Sequence, residues 1–147
     1  MTKKTFNFID TIIGTNITFV RFACNSLLLY LDCMPGDRCG LIIWLDAPWQ
    51  ITDSKTVVLG SEQSEEDEVG FDAHLEYRLA VGKKLGRGKI LSYEVDRISH
   101  SIQLITHAFT IRSFTHHSDD DHLWHIRMNR TGKTCTAGSR LVALSNA

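Results

Sequence analysis

Four histidines and three aspartates lie close together near the C-terminal end of this sequence, and their side chains are those from which metal sites are built. The histidines are His116, His117, His122 and His125, and the aspartates between them are Asp119, Asp120 and Asp121. Zinc takes histidine and carboxylate ligands in a tetrahedral arrangement, and manganese or nickel accepts the same set. One interpretation of this segment is therefore a metal-dependent enzyme that uses the four histidines.

The spacing of two of these histidines argues against a shared ion. Residues 123–128 have the composition of a β-strand, in which successive side chains point to opposite faces. His122 and His125 then fall on opposite faces and cannot bind one ion unless the strand contains a bulge. We predict a solvated hairpin loop here, with no tight metal site and no cofactor.

Other motifs that would support catalysis are incomplete. Gly132-Lys133-Thr134 resembles the end of a phosphate-binding P-loop, but the upstream glycine of that loop would fall at Arg127. A histidine–aspartate base finds no serine or cysteine nucleophile on a recognisable turn. We therefore predict that the protein is not an enzyme and has no catalytic residue.

The cysteines indicate neither a zinc site nor a disulfide framework. Cys24, Cys33, Cys39 and Cys135 include no Cys-x-x-Cys pair. We predict free thiols, and a Cys33–Cys39 disulfide across a turn is the alternative if the compartment is oxidising.

Length and composition predict one ordinary globular domain over residues 1–147. The chain is 43% hydrophobic and 22% charged, with a formal net charge of −1. A protein that binds the nucleic-acid backbone needs a concentrated positive field, so we expect no nucleic-acid partner. The apolar runs are far shorter than the roughly 20 residues of a membrane span. We predict no membrane segment and a cytoplasmic location.

Two stretches of the sequence resemble each other and predict an internal repeat. The first is Trp49-Gln50-Ile51, then Lys55-Thr56 and Gly60-Ser61; the second is Trp124-His125-Ile126, then Lys133-Thr134 and Gly138-Ser139. The turn at Asn25-Ser26 corresponds to the one at Ser99-His100. We predict a repeat of residues 17–61 in residues 90–139. Its structural anchors are Trp49, Gly60, Trp124 and Gly138, with Trp49 equivalent to Trp124 and Gly60 to Gly138.

The rest of the sequence alternates between extended runs and turn residues. A short helix or irregular lead-in is predicted over residues 5–14, and strands fill most of both repeats. Ser64, the acidic residues after it, and the stripe Phe71, Leu75, Leu79 predict a connecting helix over residues 64–86. Apolar residues also alternate over residues 69–81, which is the spacing of a strand, so a strand is the alternative to this part of the helix. We predict an α+β fold, mostly antiparallel β, whose two meanders form a sandwich or a barrel.

A few residues resemble a family of small bacterial proteins of unknown function. These are Ala47-Pro48-Trp49-Gln50-Ile51, Val57-Val58-Leu59-Gly60-Ser61 and Trp124. The family carries Pro-Trp-Arg-(Ile or Leu) and Gly-Ser-x-Asp segments, so Gln50 and Gln63 depart from its pattern. Some relatives look like immunity proteins, and the resemblance implies an interaction function without catalytic residues.

The function expected from the sequence is non-enzymatic binding of a protein partner, with immunity to a toxin as one form. The first alternative is a small ligand held in a cavity between the two meanders. The second is the metal-dependent enzyme at His116, His117, His122 and His125. We also predict a homodimer. Only one long helix is predicted, so the apolar face that contains Ile102, Leu104 and Phe109 has no second helix to cover it, and another copy of the chain could do so.

Overall fold

The computed structural model describes residues 1–61, 79–114, 122–138 and 140–145. Helix α1 spans Lys3–Ile9, a 3-10 turn spans Asp10–Ile12, and residues 79–85 form helix α2. The strands are β1 (Ile17–Ala23), β2 (Ser26–Leu31), β3 (Leu41–Leu45), β4 (Trp49–Thr52), β5 (Val57–Gly60), β6 (Ser92–Val95), β7 (Ile102–Ile105), β8 (Thr110–Ser113), β9 (His122–Met128), β10 (Thr134–Gly138) and β11 (Val142–Ser145).

These strands form two antiparallel sheets that pack as a sandwich. The six-stranded sheet has the order β1-β2-β3-β9-β10-β11, and the five-stranded sheet has the order β5-β4-β8-β7-β6. The prediction of a mostly antiparallel α+β fold is confirmed. Of its two alternatives, the sandwich is correct, since no closed barrel forms among the described strands.

The two halves of the chain are shared between the sheets, which the sequence did not predict. Strands β1–β3 join the six-stranded sheet, and β4 and β5 cross to the other one. In the second half, β6–β8 join the five-stranded sheet, and β9 and β10 cross back. The predicted picture of one meander per layer is therefore wrong. Alternating apolar residues show which face of a strand is buried, but they do not show which sheet the strand joins.

Both helices pack against open sides of the sandwich. From α1 and the turn after it, Phe8, Ile9 and Ile12 enter the core. From α2, Val81 and Leu85 do the same. A Cβ atom added at Gly82 would lie 3.5 Å from the ring of Phe22, so α2 crosses β1 closely.

The helix predicted over residues 64–86 is described only at its C-terminal end. Residues 79–85 are helical, which excludes the rival strand over residues 79–81. Leu79 was predicted to face the core, but its side chain is 56% exposed, so this prediction is wrong. Val81 and Leu85 face the core instead, one helical turn apart. Ser64, Phe71 and Leu75 lie outside the described residues.

Trp49 and Trp124 occupy similar environments in the two halves. Both are buried, and each indole N–H donates to the carbonyl of a turn residue. Trp49 Nε1 is 2.6 Å from the oxygen of Asn25, and Trp124 Nε1 is 2.7 Å from the oxygen of His100. These are the two turns that the sequence placed in correspondence. The duplication itself stays a prediction that this geometry supports.

The two glycines do not correspond as predicted. Gly60 pairs with Gln50, the residue after Trp49, whereas Gly138 pairs with His122, which precedes Trp124. The segment from tryptophan to glycine is longer in the second half, and a register irregularity separates Ala137 from Gly138. Gly60 and Gly138 therefore occupy different register positions relative to Trp49 and Trp124.

The apolar residues that were expected to form a homodimer contact are covered within the chain, and the homodimer itself stays a prediction. Ile102 and Leu104 are buried within the chain, and Phe109 packs against the same core. Proline and lysine are residue types that often protect a sheet edge. Pro48 precedes β4, which lies between β5 and β8, and Lys133 precedes β10, which lies between β9 and β11. Neither residue is at an edge.

Candidate functional site

The predicted histidine cluster is described only in part. His116, His117, Asp119, Asp120 and Asp121 lie outside the described residues. His122 and His125 both lie on β9, which sits between β3 and β10 in the six-stranded sheet. The geometry of these two histidines is therefore set by the pairing of β9 with its neighbours.

A bulge in β9 brings the two histidines together. Ala137 pairs with Trp124, but the next residue, Gly138, pairs with His122 and skips Leu123. A bulge of this kind changes the alternation of side chains by one residue. His125 Nδ1 then lies 2.9 Å from His122 Nε2. The prediction that these side chains fall on opposite faces is wrong, because it assumed a regular strand.

Asp46 completes the cluster, and sequence reasoning missed it. It follows β3 directly, and its backbone N–H donates to the carbonyl of Leu123, 3.0 Å away. Its Oδ2 atom is 2.5 Å from His122 Nδ1. Its Oδ1 atom accepts hydrogen bonds from Trp44 Nε1 at 2.6 Å and Ser26 Oγ at 2.8 Å. The position of Trp44 could have pointed to Asp46, because residues two positions apart along a strand lie on the same face.

These contacts favour the ionised form of Asp46. Burial alone would raise its pKa, but the hydrogen bonds from Trp44, Ser26 and His122 outweigh burial and hold the pKa below its ordinary value. An ionised carboxylate only accepts hydrogen bonds, so the proton of His122 resides on Nδ1. In the His122 tautomer that carries its single proton on Nδ1, the Nε2 atom has a lone pair and His125 Nδ1 is the donor to it.

His125 is held as a neutral imidazole. Burial is the main cause that lowers its pKa, and the nearby His122 and Arg127 lower it further, against an opposing effect of Asp46. The ring also stacks on Trp44, with centroids 5.6 Å apart and planes 20° from parallel. Asp46, His122 and His125 thus form a hydrogen-bonded chain with one aromatic wall.

This chain belongs to a larger surface, which we call the Trp44 face. It is the side of the six-stranded sheet that points away from the core. The strand register places two rows there, Phe19–Tyr30–Ile42–Arg127 and Arg21–Leu28–Trp44–His125. The continuous apolar run of β3 is typical of a strand that is buried on both faces. In the structure Leu41, Ile43 and Leu45 are buried, but Ile42 and Trp44 are only half-buried.

The opposite outside surface has a different character. On the five-stranded sheet, the register aligns Glu94, Gln103, Arg112 and Gln50 across four strands. The row is polar throughout, and Glu94 and Arg112 are exposed. The aromatic residues of the Trp44 face are therefore not a general property of the outside of this sandwich.

The remaining candidate motifs have structural positions. Gly132 lies in the turn between β9 and β10 with φ at 72°, and Lys133-Thr134 leads into a strand, where a P-loop would need a helix. All four cysteines are free thiols, so the alternative Cys33–Cys39 disulfide is not formed. A cavity of about 1020 Å³ lies between α1 and the outside of β6–β8 rather than between the sheets. The small-ligand alternative stays a prediction.

Comparison with family models, with curated proteins and with solved structures found no match for this chain. Among the described residues, no helix is long and apolar enough to cross a membrane.

Proposed function

We propose that this chain is a non-enzymatic binding protein that recognises a protein partner through the Trp44 face. The observation that carries the proposal is the fixed, half-buried Trp44 on the solvent side of a sheet. Its indole N–H donates to Asp46, and its ring stacks on His125. A side chain held in one orientation loses little conformational entropy on binding, which favours affinity.

The composition around Trp44 supports a protein partner. Tryptophan, tyrosine and arginine are the residues that most often dominate the binding energy of protein interfaces. Here Trp44 and Phe19 are half-buried, and Tyr30 is buried edge-on against Phe19 with ring centroids 5.5 Å apart. Arg21 and Arg127 are exposed beside these rings. This arrangement has an apolar centre with charged residues at its margin, as interfaces typically do.

The charges on the Trp44 face indicate an acidic partner. The carboxylate described on this face, Asp46, already accepts hydrogen bonds from Trp44, Ser26 and His122. Arg21 and Arg127 lie on β1 and β9, three strands apart, so about 15 Å separates their backbone positions. We expect a partner with an apolar surface flanked by acidic groups at a similar spacing. A toxin neutralised by this chain is one form of such a partner.

The products of the genes that neighbour this one are the partners to test first. Binding is measured by calorimetry with the full chain and with three variants. We expect Trp44→Ala to weaken binding more than tenfold, because central aromatic residues commonly contribute more than about 1.4 kcal/mol. Arg127→Gln should weaken binding and reduce its dependence on salt.

Arg112→Gln is the matched control, because it removes an exposed arginine from the outside of the other sheet. The proposal requires that this variant binds like the unmodified protein. Equal losses in Arg112→Gln and Arg127→Gln, or full binding by Trp44→Ala, would show that the Trp44 face is not the interface.

A further inference from the structure

We propose that His122 and His125 form a binding site for one divalent ion of the late transition series, Zn²⁺, Ni²⁺ or Cu²⁺, and that Asp46 orients His122 for this task. The inference is independent of the protein partner proposed above. It follows from the bulge in β9, which places the two imidazole rings on one face.

The separation of the two ring nitrogens is close to that of two ligands on one ion. His122 Nε2 and His125 Nδ1 are 2.9 Å apart. Two imidazole nitrogens that each lie about 2.0–2.1 Å from a tetrahedral ion are separated by roughly 3.3 Å. The nitrogens therefore need to separate by only a few tenths of an ångström, and each ring must also turn so that the two lone pairs converge on the ion instead of facing each other. The ion takes the place of the proton that His125 Nδ1 shares with His122 Nε2.

Asp46 supplies the support that metal-binding histidines usually have. A histidine ligand typically donates its second ring N–H to a carboxylate, which fixes the tautomer and makes the other nitrogen more basic. His122 Nδ1 is bonded to Asp46 in this way, so its Nε2 lone pair points toward His125. Trp44 and Ser26 hold the carboxylate in turn. The support of His122 thus consists of Asp46, Trp44 and Ser26, which lie on or directly after the adjacent strands β2 and β3.

The site is open to solvent, and the two ring nitrogens that would bind the ion already lie next to each other. The side chain of His122 is 32% exposed, which lets an ion enter without unfolding. The stack on Trp44 limits rotation of the His125 ring. Little order has to be created on binding, and preorganisation favours affinity.

The ligand type selects the class of ion. In the described part of the chain, no group of three or more histidine, cysteine or acidic residues is placed to hold a metal. Within the described residues, the ion therefore receives two imidazole ligands, from His122 and His125, and water can complete its coordination. Imidazole favours zinc, nickel and copper, whereas magnesium and calcium require oxygen ligands.

Binding requires one rearrangement of protons and no redox step. The proton on Nδ1 of His125 moves through solvent to Nε2 of the same ring. The lone pairs of His122 Nε2 and His125 Nδ1 then bind the ion. Acid should weaken binding, because protons compete for these lone pairs.

The test is a titration of the metal-free full chain with Zn²⁺ or Ni²⁺, followed by calorimetry and by melting temperature, with Mg²⁺ as the control ion. We expect one ion per chain. At an ion concentration one hundred times the dissociation constant, the melting temperature should rise by roughly 5–10 °C. His122→Gln and His125→Gln should each abolish the rise, and the double variant His116→Gln/His117→Gln should retain it.

Two further measurements keep the proposal falsifiable. The ¹⁵N shifts of the rings should identify His122 Nε2 and His125 Nδ1 as the coordinating atoms, even if one substitution prevents folding. Asp46→Asn should weaken binding by 10–100-fold, and the ¹⁵N shifts should show that the Nδ1-protonated tautomer of His122 is no longer dominant. Unsaturable binding, or binding that is lost in His116→Gln/His117→Gln and kept in His125→Gln, would overturn the proposal.

Discussion

Replacing either buried tryptophan with phenylalanine should destabilise the fold by a similar amount. In Trp49→Phe and Trp124→Phe, the indole N–H that donates to Asn25 or His100 is lost, at distances of 2.6 and 2.7 Å in the unmodified protein. Losing one such hydrogen bond costs about 0.5–1.5 kcal/mol. The smaller ring also leaves a cavity, because Trp49 is 1% and Trp124 0% exposed. We therefore expect a total of about 2–4 kcal/mol for each variant.

Thermal and urea unfolding, followed by circular dichroism, measure this loss. For a chain of this size, about 2–4 kcal/mol corresponds to a fall in melting temperature of roughly 4–16 °C. Trp44→Phe is the matched control. It also removes an indole hydrogen bond, but its acceptor Asp46 is 32% exposed and water can replace the donor. We expect that variant to lose less than about 1.5 kcal/mol.

The comparison between the two buried positions tests the correspondence of the halves. If the two tryptophans anchor equivalent turns, their costs should agree within about 1 kcal/mol, which is the usual context dependence of such substitutions. A cost near zero at one position and several kcal/mol at the other would refute the reasoning, since only one turn would then depend on its tryptophan.

Three further predictions concern pH, a glycine and association. Burial lowers the pKa of His125 below its ordinary value of 6.5, so as the pH is lowered the unfolded chain takes up this proton before the folded chain does. The free energy of unfolding should therefore decrease as the pH is lowered below about 6.5. In urea unfolding at pH 5–8, His125→Gln should make this decrease smaller. Gly40→Ala should cost more than about 3 kcal/mol in urea unfolding, because the added Cβ would lie 2.5 Å from Cys33 Cβ at a φ of 87°. Gly36→Ala, at φ 90° with open space, should cost only about 1–2 kcal/mol. Light scattering should give the chain's own 16.6 kDa at all concentrations, because Ile102 and Leu104 are already buried; a concentration-dependent mass near twice that value would restore the predicted homodimer.

Local pattern was sufficient to predict most of the elements. The predicted turns at Asn25-Ser26 and Ser99-His100 each join two paired strands, β1 to β2 and β6 to β7. Each was signalled by alternation of apolar residues bounded by turn residues, and both signals are local. The exchange of β4 and β9 between the sheets is not local. It depends on how the two halves complete one core, which a strand's own residues do not encode.

The candidate site depends on one departure from regular alternation. A strict strand separates His122 from His125, so the sequence argued against any joint role for them. The bulge reverses that conclusion, and its cause lies in the pairing of β9 with Gly138 on a different strand. Asp46 reaches the site from the end of β3, far away in sequence. A constellation of this kind becomes visible only when the register of three neighbouring strands is known.

The bulge also connects the two proposals physically. His125 contributes its ring to the aromatic surface around Trp44 and its Nδ1 atom to the pair with His122. An ion bound between the histidines would add positive charge beside Arg127, on the face that we expect to meet an acidic partner. If both proposals hold, binding of the ion and of the partner should strengthen each other, because linkage between two sites is reciprocal. Calorimetry of the partner with and without Zn²⁺ measures that coupling, and in the His122→Gln variant the coupling should vanish while binding of the partner remains.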